Sequence, residues 1–129
     1  MKPYHVVLDT NVLVSALLSP LGNPAKIYRM LFSGTIVPIY SESILTEYKD
    51  VLHRPGLNIS AEDAALVTEA IRVCGECVDP VPSTFPMIDE DDRKFYDAAK
   101  LSGAYLITGN LRHYPNEPHI LTPAEFLKL

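Results

Sequence analysis

His5-Val6-Val7-Leu8-Asp9-Thr10-Asn11-Val12 is the stretch whose reading decides the fold. Residues 5–8 make a short, valine-rich apolar run that stops at a carboxylate, the pattern of a strand buried on both faces of a parallel sheet. A helix over residues 10–18 follows it directly. Past the break at Pro20-Leu21-Gly22, Asn23 caps a helix with Pro24 in its first position, and Ser33-Gly34 stops it. Residues 35–40 then read as a second strand.

The alternation continues to the end of the chain. Ser41 caps a helix whose Ile44, Leu45, Tyr48, Val51 and Leu52 form one apolar stripe ended by Pro55-Gly56, and Ser60 with Asp63 opens another that runs to about Val73. Residues 77–81 are a weak strand candidate. Pro80, Pro82 and Pro86 give an irregular passage into the acidic run Asp89-Glu90-Asp91-Asp92. A helix with Phe95, Ala98, Ala99 and Ser102 on its inner face ends at Gly103, with Asp97 on the opposite, surface-facing side. Tyr105-Leu106-Ile107 is a strand leading to Gly109-Asn110, residues 119–121 are a last strand, and Thr122, Pro123 and Glu125 start a final short helix. Strands alternating with helices predict right-handed crossovers and an α/β fold, with a mostly parallel sheet covered by helices on both faces.

With 129 residues, the chain has the size of one domain, residues 1–129. A hydrophobic share of 47% beside 21% charged residues is that of a soluble folded protein. The longest apolar stretches, such as residues 12–18, fall far short of the ~20 residues a membrane span needs, and Met1-Lys2-Pro3-Tyr4 enters the first strand without a signal peptide. The expectation is a cytoplasmic protein with no membrane partner. A net charge of −5 excludes nucleic-acid binding through overall charge, so any such contact must be local. Cys74-Gly75-Glu76-Cys77 closes a helix rather than opening one and lacks further ligands nearby, so it reads as two buried or half-buried thiols, not a redox or zinc motif.

In an open parallel sheet the ligand crevice lies at the carboxyl ends of the strands, where the topology switches direction. Asp9 and Asn110 each stand just past such an end. Glu47 lies on one flank of its helix's apolar stripe, where a carboxylate can look into the crevice, but Lys49 holds the other flank and periodicity does not choose between them. Asp91 and Asp92 both project near the face carrying Phe95 and Ala99, and helix geometry does not separate them either; favourable alignment with the helix dipole would explain one or two acids there. Carboxylates within ~4 Å of one another repel by ~1–4 kcal/mol per pair, a sign that a bound cation reverses. Oxygen-only ligands suit Mg²⁺ or Mn²⁺, and such a centre suits phosphodiester hydrolysis.

Taken together, Val7-Leu8-Asp9-Thr10-Asn11-Val12, Leu45-Thr46-Glu47-Tyr48, Asp91-Asp92-Arg93-Lys94-Phe95 with Ala98-Ala99, and Leu106-Ile107-Thr108-Gly109-Asn110 resemble the PIN-domain ribonuclease family, in particular the VapC-type toxins of toxin–antitoxin systems. The resemblance implies a three-layer α/β/α sandwich around a four- to five-stranded, mostly parallel sheet. It implies Asp9, Glu47 and Asp92 as metal-binding acids, favouring Asp92 over Asp91, with Asn110 as the fourth catalytic position and Thr10, Asn11 and Thr108 in support. Further implications are an RNA substrate, an antitoxin partner and a homodimer. Asn110 is neutral where many members carry an acid, so one firm metal position is expected and a second that is weak or substrate-dependent. Arg93, Lys94, Arg112 and His113 are candidates for phosphate contact, with a solvated surface charge as the plain alternative; His5 and His119 are structural. Two other readings stay open: a PIN fold that binds RNA or protein without cutting, kept alive by Asn110, and an aspartyl-phosphate phosphatase using Asp9, which would want an acid where Asn11 stands.

Overall fold

The structure, a computed structural model, describes residues 2–129; Met1, where the expected N-terminal run begins, lies outside them. In chain order the elements are β1 (Tyr4–Leu8), α1 (Thr10–Leu18), α2 (Asn23–Phe32), β2 (Ile36–Tyr40), α3 (Glu42–Leu52), α4 (Ala61–Cys74), β3 (Glu76–Cys77), α5 (Arg93–Ser102), β4 (Tyr105–Ile107), β5 (Ile120–Leu121) and α6 (Pro123–Phe126). The strands form one sheet in the order β3-β2-β1-β4-β5, and every neighbouring pair is parallel. Parallel neighbours need crossovers. Those toward β3 and the one returning to β4 run opposite ways across the sheet, so a common right hand puts their helices on opposite faces. The result is a helix–sheet–helix sandwich.

Burial on both faces explains the apolar run of β1, whose Val6, Val7 and Leu8 are all buried. They join Ile36, Ile39, Leu106 and Ile107 of the neighbouring strands, Ile44, Tyr48 and Leu52 of α3, and Phe95, Ala98 and Ala99 of α5 in the core. Gly103 ends α5 in the left-handed conformation at φ 74°. Thr122 and Glu125 close a reciprocal capping box at α6. No helix of the described residues is long and apolar enough to cross a membrane.

Several expectations are corrected. β3 is Glu76–Cys77, not 77–81, since Pro80 and Pro82 remove the amides a longer ladder needs; only Val78 extends it, donating to the Tyr40 carbonyl. Asn23 is the first residue of α2, with Gly22 at the cap position. The last strand begins at Ile120, not His119. Ser102 is exposed rather than core-facing, its hydroxyl donating to the Ala98 carbonyl at the helix end. Cys77 is an exposed free thiol, not a buried one. Asp97 is buried rather than at the surface, accepting the Ser83 backbone N–H at 3.0 Å. The proline-rich passage before α5 folds back over that face, which helical periodicity had left to solvent.

Candidate active site

β1 and β4 are neighbours, and the chain leaves them in opposite directions across the sheet, so the switch point lies between their carboxyl ends. Asp9 stands there. Its backbone N–H donates to the Ile107 carbonyl at 3.0 Å, tying the two strand ends together. One oxygen of its buried carboxylate, Oδ2, accepts from the Thr108 hydroxyl at 2.8 Å and from the Tyr114 hydroxyl at 3.1 Å. Thr108 is fully buried one residue past β4 and also accepts the Asn110 backbone N–H at 3.0 Å. Asn110 therefore sits at the same rim, half-buried. Burial raises the pKa of Asp9 above the usual carboxylate value against those hydrogen bonds, and the charge of Glu47 adds to the rise.

Glu47 reaches the rim because of its neighbour. The buried Tyr48 hydroxyl donates to the Leu8 carbonyl at 2.5 Å, which fixes α3 to the end of β1 and turns position 47 toward the crevice. Thr10 at the start of α1 donates its hydroxyl to Glu47 Oε2. Lys94 Nζ lies 2.8 Å from the other oxygen, Oε1. Lys49, on the opposite flank, is exposed.

Asp92 closes the short 3₁₀ turn Glu90–Asp92 and leads into α5. His113 Nδ1 is 3.1 Å from its Oδ2. Burial, then the charges of Asp9 and Asp89, push its pKa up to about 6 against the opposing pull of His113. Asp91 is exposed and offers its carbonyl to Lys94 Nζ at 2.6 Å. The geometry thus separates the two acids that helical periodicity left equivalent. Burial raises the Tyr114 hydroxyl as well, followed by the charges of Asp9 and Asp92 and, last, that of Glu47, so three carboxylates of different elements act on one small volume.

Their convergence is looser than a filled metal shell. Among the described residues, the potential ligand atoms that all lie within 4.8 Å of one another belong to Asp89, Asp92 and His113. Asp9 and Glu47 do not complete such a group with Asp92; each half-buried acid instead pairs with a basic side chain of the chain itself, Lys94 with Glu47 and His113 with Asp92. The donor set nonetheless fits a hard divalent cation: carboxylate oxygens from three elements, of which Asp9 and Asp92 are raised in pKa by burial and by neighbouring acids.

The remaining candidates divide. Arg93 commits its guanidinium to Glu90, at 2.6 and 2.8 Å, and to the Ser83 carbonyl at 2.8 Å. Arg112 is exposed in the turn Leu111–His113 beside the rim, and Asn11 is exposed on the first turn of α1. His5 is exposed near Glu76, whereas His119 is half-buried. Sequence reasoning missed Tyr114 and Asp89. No periodicity marks Tyr114; Asp89 had a signal, being an acid two residues before the Asp91 amide it caps at 3.0 Å.

Fold and site define an α/β domain with an acid centre at its switch point. Residues 5–112 match the PIN domain family, and the chain belongs to that family. An uncharacterized protein of Methanocaldococcus jannaschii is 37% identical over 108 residues, covering 81% of this chain and 70% of the relative. The crystal structure of VapBC2 from Rickettsia felis bound to a DNA fragment from their promoter is similar with a TM-score of 0.60 and 16% identity, over 92% of this chain and 96% of that one. At that identity the likeness is one of fold.

Proposed function

We propose that this PIN-domain chain is a metal-dependent ribonuclease, the toxin of a toxin–antitoxin pair. The observation that carries the reading is the gathering of Asp9, Glu47 and Asp92 at the rim between β1 and β4, each from a different element and each held by a neighbouring side chain. Family membership supports the nuclease class. The fold likeness to VapBC2 supports an antitoxin partner. A homodimer and a cytoplasmic setting complete the reading.

Asp9, Glu47 and Asp92 would hold Mg²⁺ or Mn²⁺, which supplies Lewis acidity toward a phosphoryl oxygen and lowers the pKa of a bound water. The chain's own groups do the positioning. Thr108 and Tyr114 lock the Asp9 carboxylate through Oδ2, and the Asn11 backbone N–H also donates to it. Thr10 fixes Oε2 of Glu47, and His113 orients Asp92. Arg112, exposed at the rim, is suited to an RNA phosphate.

The test is incubation of the purified protein with structured and unstructured RNA, in Mn²⁺ or in chelator. Cutting that requires Mn²⁺ supports the proposal; cutting that persists in chelator refutes it. Asn110, neutral at the fourth position, favours the second reading, an RNA- or protein-binding domain without cleavage, and Mn²⁺ binding with no RNA cut would support that one.

A further inference from the structure

Lys94 is a basic side chain of the acid rim whose placement the metal reading does not use. Its neighbour Arg93 turns to Glu90 and Ser83, away from the crevice, while Lys94 turns in. An ammonium has three donors. One goes to Glu47 Oε1 at 2.8 Å and one to the Asp91 carbonyl at 2.6 Å, with the nitrogen 5.3 Å from the centre of the Phe95 ring. The side chain is only 22% exposed, so the charge is held rather than waving in solvent. Since Thr10 takes Oε2, both oxygens of Glu47 are engaged, and the third Lys94 donor is left for a substrate oxygen.

Charge balance gives this arrangement a meaning. Asp9, Glu47 and Asp92 bring three negative charges, Asp89 beside Asp92 adds a fourth, Asn110 brings none, and Lys94 returns one positive charge at Glu47, an acid outside the group of Asp89, Asp92 and His113. We propose that Lys94 is the resident second cation of this centre: its ammonium stands beside Glu47, where a second metal ion would otherwise be held. The inference rests on the metal-centre reading above and deepens it. Lys94 would neutralise developing charge on the phosphate without having to be recruited from solution, which is what a preorganised positive group does.

The measurement is Mn²⁺ stoichiometry by calorimetry up to millimolar metal, on chelator-stripped wild type, Lys94→Met and Lys94→Arg, with thermal melts to show that each is folded. Wild type and Lys94→Arg are expected to bind one equivalent, and Lys94→Met two, because Glu47 Oε1, freed of the ammonium, can then accept a second ion beside the first. Where RNA is cut, Lys94→Met needs about tenfold more Mn²⁺ for half-maximal rate, the size of one lost ion-pair-strength interaction. If Lys94→Met does not fold, Lys94→Gln takes its place. A folded uncharged variant that binds a single equivalent overturns the role of Lys94, as does a wild type that binds two. No binding by any form, wild type included, refutes the metal centre itself.

Discussion

The Asp9 carboxylate is a buried charge with two side-chain donors on one oxygen, and those donors define its direction. Groups that orient a ligand typically matter by 10–100-fold in metal affinity or activity. Tyr114→Phe and Thr108→Val are therefore expected to weaken Mn²⁺ binding by about 10–100-fold while the protein stays folded; unchanged affinity in both would show that Asp9 is positioned by the backbone alone. His119 allows a test of the structure apart from the site. Burial lowers its pKa, and its Nε2 is buried without a partner. A depressed base favours the folded state above its unfolded pKa of about 6.5, and that contribution is lost as pH falls through the window below it. The stability lost between about pH 7.5 and pH 5.5 should shrink in His119→Gln, read from urea midpoints; an identical loss in both proteins would count against it. At this scale legibility was uneven. Asp9 could be read because a carboxylate ending a buried strand has few places to go. Glu47 could not be told from Lys49, since the contact that decides it, Tyr48 to Leu8, joins residues 40 apart. Tyr114 was invisible for the same reason, its partner being 105 residues away.

Elements with their own chemistry were the readable ones. The cap at Ser41, the glycine stop at Gly103 and the box at Thr122 and Glu125 are local in sequence, and the structure forms each of them. β3 and the passage that covers α5 depend on partners far along the chain, and there the expectations failed. Gly75, between α4 and β3, shows the constraint most sharply. A Cβ at that position would lie 2.3 Å from the Pro38 carbonyl oxygen and 2.6 Å from that of Ile71. Backbone cannot yield as a flexible side chain can, so Gly75→Ala should cost about 1–3 kcal/mol in unfolding free energy. A denaturant titration checks this; wild-type stability in the variant would mean that α4 and β3 shift apart freely.

For the molecule as a whole, the α/β class followed from the alternation of periodicities, whereas the strand order β3-β2-β1-β4-β5 did not, being set by pairings across the entire chain. That order makes β1 and β4 neighbours and so brings positions 9 and 108 together. The charge of −5 belongs to this scale too. With Arg93 tied to Glu90 and Ser83, few cations at the rim remain to displace counterions from RNA, and the slope of log affinity against log salt should be no steeper than about −1 to −2. A much steeper slope, read from binding at several salt concentrations, would require a basic surface that the rim lacks. The central claim is that a metal-holding acid centre at the strand switch cuts RNA, and Asp9 is its best-defined member. The rate of RNA cleavage by Asp9→Asn at saturating Mn²⁺, relative to wild type and on protein shown to be folded, tests it most directly. The expected result is a loss of roughly 100-fold or more, and cleavage at the wild-type rate would contradict it.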